Sequence, residues 1–218
     1  NQTYATVTIT AIDDMRVEGD ETATFSVLAN ANYDLGTPNT ATITIHDNDG
    51  AVLRDNADAY VRDGASANTN FGSATDIEVK KNMTGVNRQS YIKFDLTSVS
   101  AANIGSIQLR LYGSLNNANQ QNVATGVFGS NNTTWSENAI TWNNKPGTNT
   151  IALASATIIN TTPQWYTWDI TANAKSQLAL GHKTITLVLQ NSATSDPFAT
   201  FASKESSSLG PQLVVAFA

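Results

Sequence analysis

The sequence predicts an all-β fold, a β-sandwich with Greek-key connections, and three observations lead to it. Apolar and polar residues alternate over many short segments rich in Thr, Val and Ile, which suit half-buried strands. Clusters of Gly, Asn, Ser and Asp separate these segments and predict turns. One segment, residues 171–180, has a helical pattern, with Asp169 or Thr171 as N-cap and Gly181 at its end.

The predicted strands follow one another at short intervals along the chain. They are residues 4–12, 40–45, 76–80, 90–96, 106–112, 184–190 and 212–217. Because successive side chains of a strand point to opposite faces, Tyr91 and Lys93 should point away from the core that Ile92 enters. By the same rule Lys80 and Arg110 should point outward.

Charge is distributed unevenly along the 218 residues. The chain carries 12 Lys and Arg against 18 Asp and Glu residues, a formal net charge of −6. Residues 1–50 contain one basic and eight acidic residues, which gives −7, so residues 51–218 carry +1. This shift predicts a domain boundary near residues 46–50, with one domain over 1–50 and another over 51–218.

The composition argues against several classes of function and partner. The acidic balance disfavours nucleic acid, which selects for a basic surface. The absence of cysteine excludes disulfides, thiolate metal sites and cysteine nucleophiles. No apolar run reaches the roughly 18–20 residues of a membrane span, and no signal-peptide pattern opens the sequence. We expect a mature or excised piece of a secreted protein, monomeric and without a membrane partner.

Acidic residues gather in two places within residues 1–50. They follow the first predicted strand and the strand at 40–45, and they are Asp13, Asp14, Glu18, Asp47 and Asp49. In an antiparallel meander the two places meet at one pole, and oxygen ligands gathered there suit Ca²⁺. The alternative is a solvated acidic loop without a metal.

The same stretch resembles the Calx-β family. The matching motifs are DD at 13–14, VEGDE at 17–21, TITI at 42–45 and DND at 47–49. The resemblance implies an immunoglobulin-like segment with Ca²⁺-binding acids, and it covers about half of a full module. Since the other strands and acids are missing, we expect a partial Calx-β segment that buries little apolar surface alone, with structural Ca²⁺ as its candidate cofactor.

Basic and aromatic side chains mark the predicted outer face in residues 51–218. If the strands that contain Lys80, Lys93 and Arg110 are neighbours, these cations share one sheet face with Tyr91 or Tyr112. Such a face suits an anionic sugar chain, because Lys and Arg pair with carboxylate or sulfate and Tyr offers a flat apolar surface. The alternative is a solvated face with cross-strand ion pairs.

An ordered series of motifs extends through almost all of residues 55–218. It comprises ADAYVR (57–62), NTNFG (68–72), IEVK (77–80), NRQSYIKFDL (87–96), TWSE (134–137), ITWNNKP (140–146), FASKE (201–205) and GPQLVV (210–215). The series resembles the DNRLRE-type domain, carbohydrate-binding module family 96. The resemblance implies a jelly-roll sandwich appended to secreted, mostly marine, polysaccharide-degrading enzymes or surface proteins, and here we expect an appended catalytic domain. It also implies binding of acidic algal polysaccharide, above all alginate.

The ligand-binding candidates share a cationic or aromatic side chain. They are Lys80, Arg88, Tyr91, Lys93, Lys204, Arg62 and Arg110. All but Arg110 are implied by matching position in the family resemblance, and Arg110 by the outer-face pattern. Two alternatives stay open, since Arg88 is also able to anchor its own turn and Lys204 to pair with Glu205.

The tryptophans and two aspartates have other predicted roles. Trp135 and Trp142 flank a turn and are expected to pack against the fold, as Trp usually does. Trp165 is the candidate for an exposed ring that stacks on sugar. Asp58 and Asp169 are expected either to cap backbone amides or to bind a structural Ca²⁺.

The sequence contains no recognisable catalytic motif. It has two histidines, and it lacks a nucleophile elbow, a His-rich metal motif and a Gly-rich phosphate loop. We therefore predict a non-catalytic module that directs an enzyme to an acidic polysaccharide. The alternatives are a binder of sulfated or neutral red-algal galactan (porphyran, agar or carrageenan), a structural spacer or adhesin module, and a polysaccharide lyase using Tyr91, Lys93 and Arg88.

Overall fold

The computed structural model describes residues 8–10, 21–45, 50–101, 104–119 and 122–217. The chain divides into two compact units, Asn1–Gly50 and Ala51–Ala218. No helix in the described part of the chain is long and apolar enough to cross a membrane.

The N-terminal unit contains a two-stranded antiparallel hairpin. Strand β1 (Glu21–Ser26) pairs with β2 (Thr40–Ile45), and Glu21 stands opposite Ile45. The predicted strand at 40–45 is confirmed, whereas residues 8–10, the described part of the predicted strand at 4–12, are not in a strand. Nearly all described side chains of this unit are exposed, because two strands alone bury little apolar surface.

The larger unit is built from strands and one α-helix in its described residues. The strands are β3 (Ala51–Arg62), β4 (Asp76–Val79), β5 (Arg88–Asp95), β6 (Ile104–Leu115), β7 (Asn122–Ser130), β8 (Ala154–Ile159), β9 (Gln164–Asp169), β10 (Thr184–Asn191), β11 (Ala199–Ala202) and β12 (Gln212–Phe217). Helix α1 (Thr171–Ala179) connects β9 to β10. The prediction of an all-β sandwich is confirmed.

The strands form two antiparallel sheets that share β3. The first sheet has the order β4-β11-β6-β12-β3, with β9 also paired to β6. The second has the order β3-β5-β10-β7-β8. β3 changes partner at Asn56, an extra residue, because Asp55 pairs with Phe94 while Ala57 pairs with the adjacent Lys93. Such a bulge bends a strand, and here it takes β3 from β12 to β5.

The main core lies between the two sheets. Ile77, Leu109 and Leu213 enter it from the first sheet, and Ile92 and Leu187 enter it from the second; all are buried. The alternation of these apolar residues with polar ones is what made the strands visible in the sequence.

A second, smaller core lies on the outer face of the second sheet. Residues 131–150, here called the covering segment, supply Trp135 and Ile140, which pack against Tyr91 and Val188. The Nε1–H of Trp135 donates to Thr186 Oγ1 at 3.0 Å, which satisfies the buried indole. The outer face of this sheet is therefore an interior surface.

The helix prediction is also confirmed, with one difference in its end. α1 stops at Ala179, and Gly181 follows with φ +83°, the left-handed conformation that ends helices. The N-cap is Ile170, so the prediction of Asp169 or Thr171 as N-cap is wrong, although Asp169 Oδ1 accepts from Thr171 N at 2.9 Å. Thr171 Oγ1 instead accepts from Ile107 N and ties the helix to β6.

Candidate functional site

A pocket of about 270 Å³ opens where β4 leads into β5. The side chains that line it are polar or cationic, apart from one indole. They belong to Lys80, Lys81, Asn87, Arg88, Gln89, Trp142, Gln190 and Asn191. No carboxylate is among these described lining residues. We call this site the basic pocket.

The turn between β4 and β5 brings the cations of the basic pocket together. Lys80 and Arg88 exchange two backbone hydrogen bonds, at 3.0 and 2.9 Å, and so close the turn. Asp63, which is buried, accepts from Gly85 N, Asn87 N and Asn87 Nδ2 at 2.7–2.9 Å. Burial alone would raise the pKa of Asp63, but these hydrogen bonds hold that pKa below its usual value.

Two glycines allow this turn to sit against the start of the fold. A Cβ on Gly64 would lie 2.6 Å from the Cα of Gly85, and both residues have positive φ. Only glycine, which has no Cβ, permits the two backbone segments to approach so closely. Gly64 and Gly85 therefore fix the position of the turn that carries the basic pocket.

Among the described residues, the two lysine ammonium groups of the basic pocket form hydrogen bonds only with carbonyl oxygens. Lys80 Nζ donates to Asp196 O at 2.6 Å and Lys81 Nζ donates to Ser192 O at 3.0 Å. Each ammonium has three donors, so both retain hydrogens and a full positive charge for a ligand.

Arg88 has a partly used guanidinium. Its Nε forms an ion pair with Glu78 Oε2 at 3.1 Å, and its Cζ lies 4.0 Å from the centre of the Phe198 ring. Arg62 is paired with Arg88 across β3 and β5. The buried Nε atoms of both arginines and Nη1 of Arg88 have no hydrogen-bond partner in the described part of the chain.

The predicted grouping of Lys80, Lys93, Arg110 and Tyr91 on one sheet face is wrong. Lys80 follows β4, which pairs with β11, whereas Lys93 lies on β5 between β3 and β10. Arg110 belongs to the first sheet, where its guanidinium stands 4.3 Å from the ring centre of Trp165. The alternating pattern gave the outward direction, but not the pairing of strands.

Tyr91 is wrong as a ligand-binding candidate because it is fully buried. The covering segment lies over it, and its hydroxyl donates to Pro146 O at 2.7 Å. Lys93 is half-buried beneath the same segment, where Nζ donates to Trp135 O at 2.6 Å and lies 4.6 Å from the Trp135 ring centre. Both side chains hold the covering segment to the sheet.

Lys204 lies in a different environment, which we call the acidic cluster (Asp55, Asp58, Glu137 and Glu205 around Lys204). Its Nζ forms ion pairs with Glu137 Oε1 at 3.1 Å and with Glu205 Oε1. The hydrogen bond to Glu205 and the pairing with Glu137 raise the pKa of Lys204. The alternative stated for Lys204, pairing with Glu205, is what the structure shows.

The bulge at Asn56 explains why two acids share this cluster. Without the extra residue, Asp55 and Asp58 would point to opposite faces; with it, both point inward. Asp58 Oδ2 accepts a hydrogen bond from Lys204 N at 2.7 Å. Asp58 therefore caps a backbone amide, which is the first of the two roles predicted for it. Burial and the nearby Asp58 carboxyl raise the pKa of Asp55 to about 9, and burial also raises that of Asp58.

The predicted Ca²⁺ ligands of the N-terminal segment lie outside the described residues. These are Asp13, Asp14, Glu18, Asp47 and Asp49. Within the described ranges, no group of three or more His, Asp or Glu side chains is arranged to hold a metal ion.

Sequence reasoning missed three contributors to the basic pocket. Lys81 was not predicted as a ligand-binding residue because it follows the alternating strand, although a second lysine beside Lys80 is visible in the sequence. Trp142 packs against the smaller core, as predicted, but it also lines the pocket, and Lys145 Nζ lies 3.7 Å from its ring centre. Asp63 had no local signal, because its partners are more than twenty residues away.

Comparison with known proteins places these features in a family. The model of carbohydrate-binding module family 96 matches residues 50–217. A gellan lyase from Bacillus sp is 28% identical over 136 residues, which are 62% of this chain and 6% of that protein. The chain therefore spans a small part of the length of that relative. The family match covers most of the chain, and the protein belongs to carbohydrate-binding module family 96.

Proposed function

We propose that this module binds an acidic polysaccharide, alginate above all, in the basic pocket. The observation that carries the proposal is the convergence of Lys80, Lys81 and Arg88 in one pocket whose described lining has no carboxylate. Unused ammonium and guanidinium donors form charge-assisted hydrogen bonds with uronate carboxylates. Arg88 adds a planar guanidinium at the inner end of the pocket, largely buried and paired with Glu78, whereas the lysines act as point charges.

Neutral groups of the same pocket complete a sugar site. Gln89 and Gln190 offer amide donors and acceptors for ring hydroxyls, and the half-buried Trp142 offers an apolar surface. The pocket is small, so it suits one sugar residue with the chain continuing over the surface. Arg62 and Arg110 remain binding predictions, Arg62 beside the pocket and Arg110 on the first sheet.

The biological role that we propose is targeting. A non-catalytic module joined to a catalytic domain keeps that domain near its polymer and so raises its effective concentration. The similarity to a segment of a much longer gellan lyase supports this arrangement. Such enzymes meet their polymers outside the cell, and we propose a secreted location for the parent protein.

For the N-terminal unit we propose a partial Calx-β segment that binds Ca²⁺. The pairing of Glu21 with Ile45 supports the proposal, because these opposed residues are close in sequence to the acidic stretches 13–18 and 47–49. Calorimetry with CaCl₂, with the intact chain and with an Asp13→Asn, Asp47→Asn variant, tests it. Unchanged heats in the variant would contradict it.

Two alternatives differ in what they require. A sulfated galactan such as porphyran or carrageenan would use the same cations, because sulfate and carboxylate are bound alike. The lyase alternative loses its proposed base, because the Tyr91 hydroxyl is buried and bonded to Pro146 O. Burial also raises the pKa of Tyr91, which disfavours its deprotonation.

The test is calorimetry and affinity electrophoresis with alginate, gellan, porphyran, carrageenan and agarose. We expect binding to at least one acidic polymer, weakened as NaCl rises from about 0.02 M to about 0.5 M, because exposed charges are screened. Lys80→Ala with Lys81→Ala should lower the affinity, and Lys175→Ala, an exposed lysine of α1, should not. Absence of binding to every acidic polymer would overturn the proposal.

A further inference from the structure

A second pocket lies between helix α1 and the start of β10. Its volume is about 480 Å³, within the range of small-ligand sites, and none of the predicted ligand-binding residues lines it. Its walls come from the end of β7 and the residues after it, Asn149, one face of α1 and residues 182–186. We call it the helix pocket.

The floor of the helix pocket is bare backbone at Gly129. A Cβ there would stand 3.1 Å from Nδ2 of Asn149 and 3.6 Å from Nδ2 of Asn173. Two amide groups therefore converge where a side chain is missing. Among the described residues, neither side-chain amide has a hydrogen-bond partner, so their donors and acceptors are available to a ligand.

The rest of the lining combines neutral polar groups with an apolar wall. Gln177, itself bonded to His182 at 2.7 Å, adds a third amide, and Leu180 is 67% exposed at the rim. No Asp or Glu is among the described lining residues, and Lys183 is an exposed cation at one edge. Neutral hydrogen-bonding groups beside an apolar surface match a sugar ring, which has hydroxyls at its edge and C–H groups on its faces.

The helix pocket and the basic pocket are separate sites. Thr184, at one end of β10, lines the first, and Gln190, near the other end, lines the second. The helix pocket also includes Thr186, and the four residues of strand from there to Gln190 span about 13 Å, too far for one sugar residue to occupy both. Their chemistry also differs, because one lining is cationic and the other is mostly amide and hydroxyl.

We propose that the helix pocket binds a neutral sugar residue, with amides on its hydroxyls and Leu180 against its apolar face. The inference rests on the proposed role of the module in glycan binding, but not on the basic pocket. It gives the module a second, uncharged point of attachment to a polysaccharide. Attachment at two points raises avidity without a new charged contact.

The experiment uses the full chain with cellotetraose, mannotetraose and agarotetraose as neutral probes. Saturation-transfer NMR and calorimetry measure the binding of each probe. Asn173→Ala removes one amide from a helix position that alanine favours, and Gly129→Ala puts a methyl group on the floor. Ser176→Ala, an exposed change on the same helix outside the pocket, is the matched control. Lys80→Ala tests independence from the basic pocket.

We expect at least one neutral tetrasaccharide to bind, with an affinity that NaCl barely changes. Asn173→Ala and Gly129→Ala should each weaken it about fivefold, the scale of one lost hydrogen bond, while Ser176→Ala and Lys80→Ala should not. Binding of acidic polymer without any neutral probe would overturn this inference and leave the proposed function standing. Absence of any glycan binding would overturn both, and neutral binding that survives both pocket variants would overturn the helix pocket.

Discussion

The basic pocket and the acidic cluster use lysine in opposite ways. Lys80 and Lys81 are bonded to carbonyl oxygens, and no carboxylate lies in the described lining around them. Lys204 stands among acids and forms ion pairs with two of them. The first two charges are available to a ligand, and the third is neutralised within the fold.

This difference shows that a lysine's role depends on its partners rather than on its place in a motif. Both kinds of lysine occur in segments that match the same family pattern. A cation among acids stabilises a buried group of charges, and removing it leaves those charges uncompensated. A cation among carbonyls contributes little to folding and keeps its charge for binding. Four variants test this contrast.

The largest effect is expected from Asp63→Ala, which acts on the frame of the basic pocket. The change removes three hydrogen bonds to the turn, so we expect a loss of about 3 kcal/mol in the free energy of unfolding and weaker glycan binding. Because the folded pKa of Asp63 is lowered, its contribution is present above the unfolded pKa and is lost as pH falls. Urea unfolding at neutral and acid pH measures both effects.

Asp63→Asn serves as the control for that variant. The amide keeps one acceptor oxygen, so its loss of stability should be smaller. If Asp63→Ala unfolds at the same urea concentration as the parent, the turn does not depend on this carboxylate.

Lys204→Met should destabilise the fold without changing glycan affinity. The methionine keeps most of the apolar stem but leaves Glu137 and Glu205 without their cation. We expect a loss of about 2 kcal/mol, less than for a fully buried ion pair because Lys204 is partly exposed. Urea unfolding and calorimetry with alginate measure the two quantities. A fall in glycan affinity with an unchanged free energy of unfolding would show that Lys204 binds the ligand and does not stabilise the fold.

Lys80→Met is the matched change in the basic pocket. We expect the affinity for acidic polysaccharide to fall about tenfold, or about 1.4 kcal/mol, with a change in stability within about 0.5 kcal/mol. The dependence of affinity on salt should also become less steep. Calorimetry at two NaCl concentrations measures this, and an unchanged affinity would remove Lys80 from the site.

Asp55→Asn should stabilise the protein at alkaline pH. The pKa of Asp55 is about 9 in the folded state, against an ordinary pKa of 3.8. Between these two pH values the folded state keeps a proton on Asp55 that the unfolded chain releases. The contribution of Asp55 to the free energy of unfolding is therefore fully present below pH 3.8 and is lost as the pH rises toward about 9. Removing the carboxyl should therefore raise the free energy of unfolding near pH 8 and leave it almost unchanged near pH 3.

Urea unfolding at those two pH values decides the outcome for Asp55→Asn. Asp196→Asn, whose carboxylate lies on the surface and accepts from Asn119 Nδ2, is a control for the substitution itself. An equal effect of Asp55→Asn at both pH values would show that the carboxyl does not titrate differently on folding.

Much of the fold was predictable, because alternation and turn residues are local signals. The segments at 90–96, 184–190 and 212–217 lie within or almost within β5, β10 and β12, and the helix was placed to within one residue. β4 and β5 are close in sequence, but they pair with different strands. Pairing depends on long-range packing, which a period of two residues does not encode.

The candidate site was predictable in part for the same reason. Lys80 and Arg88 meet across one short turn, and both were predicted. Tyr91 was wrong because its face is covered by residues 131–150, which are distant in sequence. An outward-pointing side chain is exposed only if nothing folds over it, and the alternation of a strand carries no information on that point.

The pairing of β3 with β12 has a mechanical consequence if the module anchors a catalytic domain to a polysaccharide, as proposed. Ala51, at the start of the larger unit, stands directly opposite Val215, near its end, so the two ends of this unit leave side by side. A pulling force applied through these ends would open the β3–β12 hydrogen bonds one after another instead of shearing them together. The anchor would thus yield gradually under tension, beginning where the chain enters and leaves.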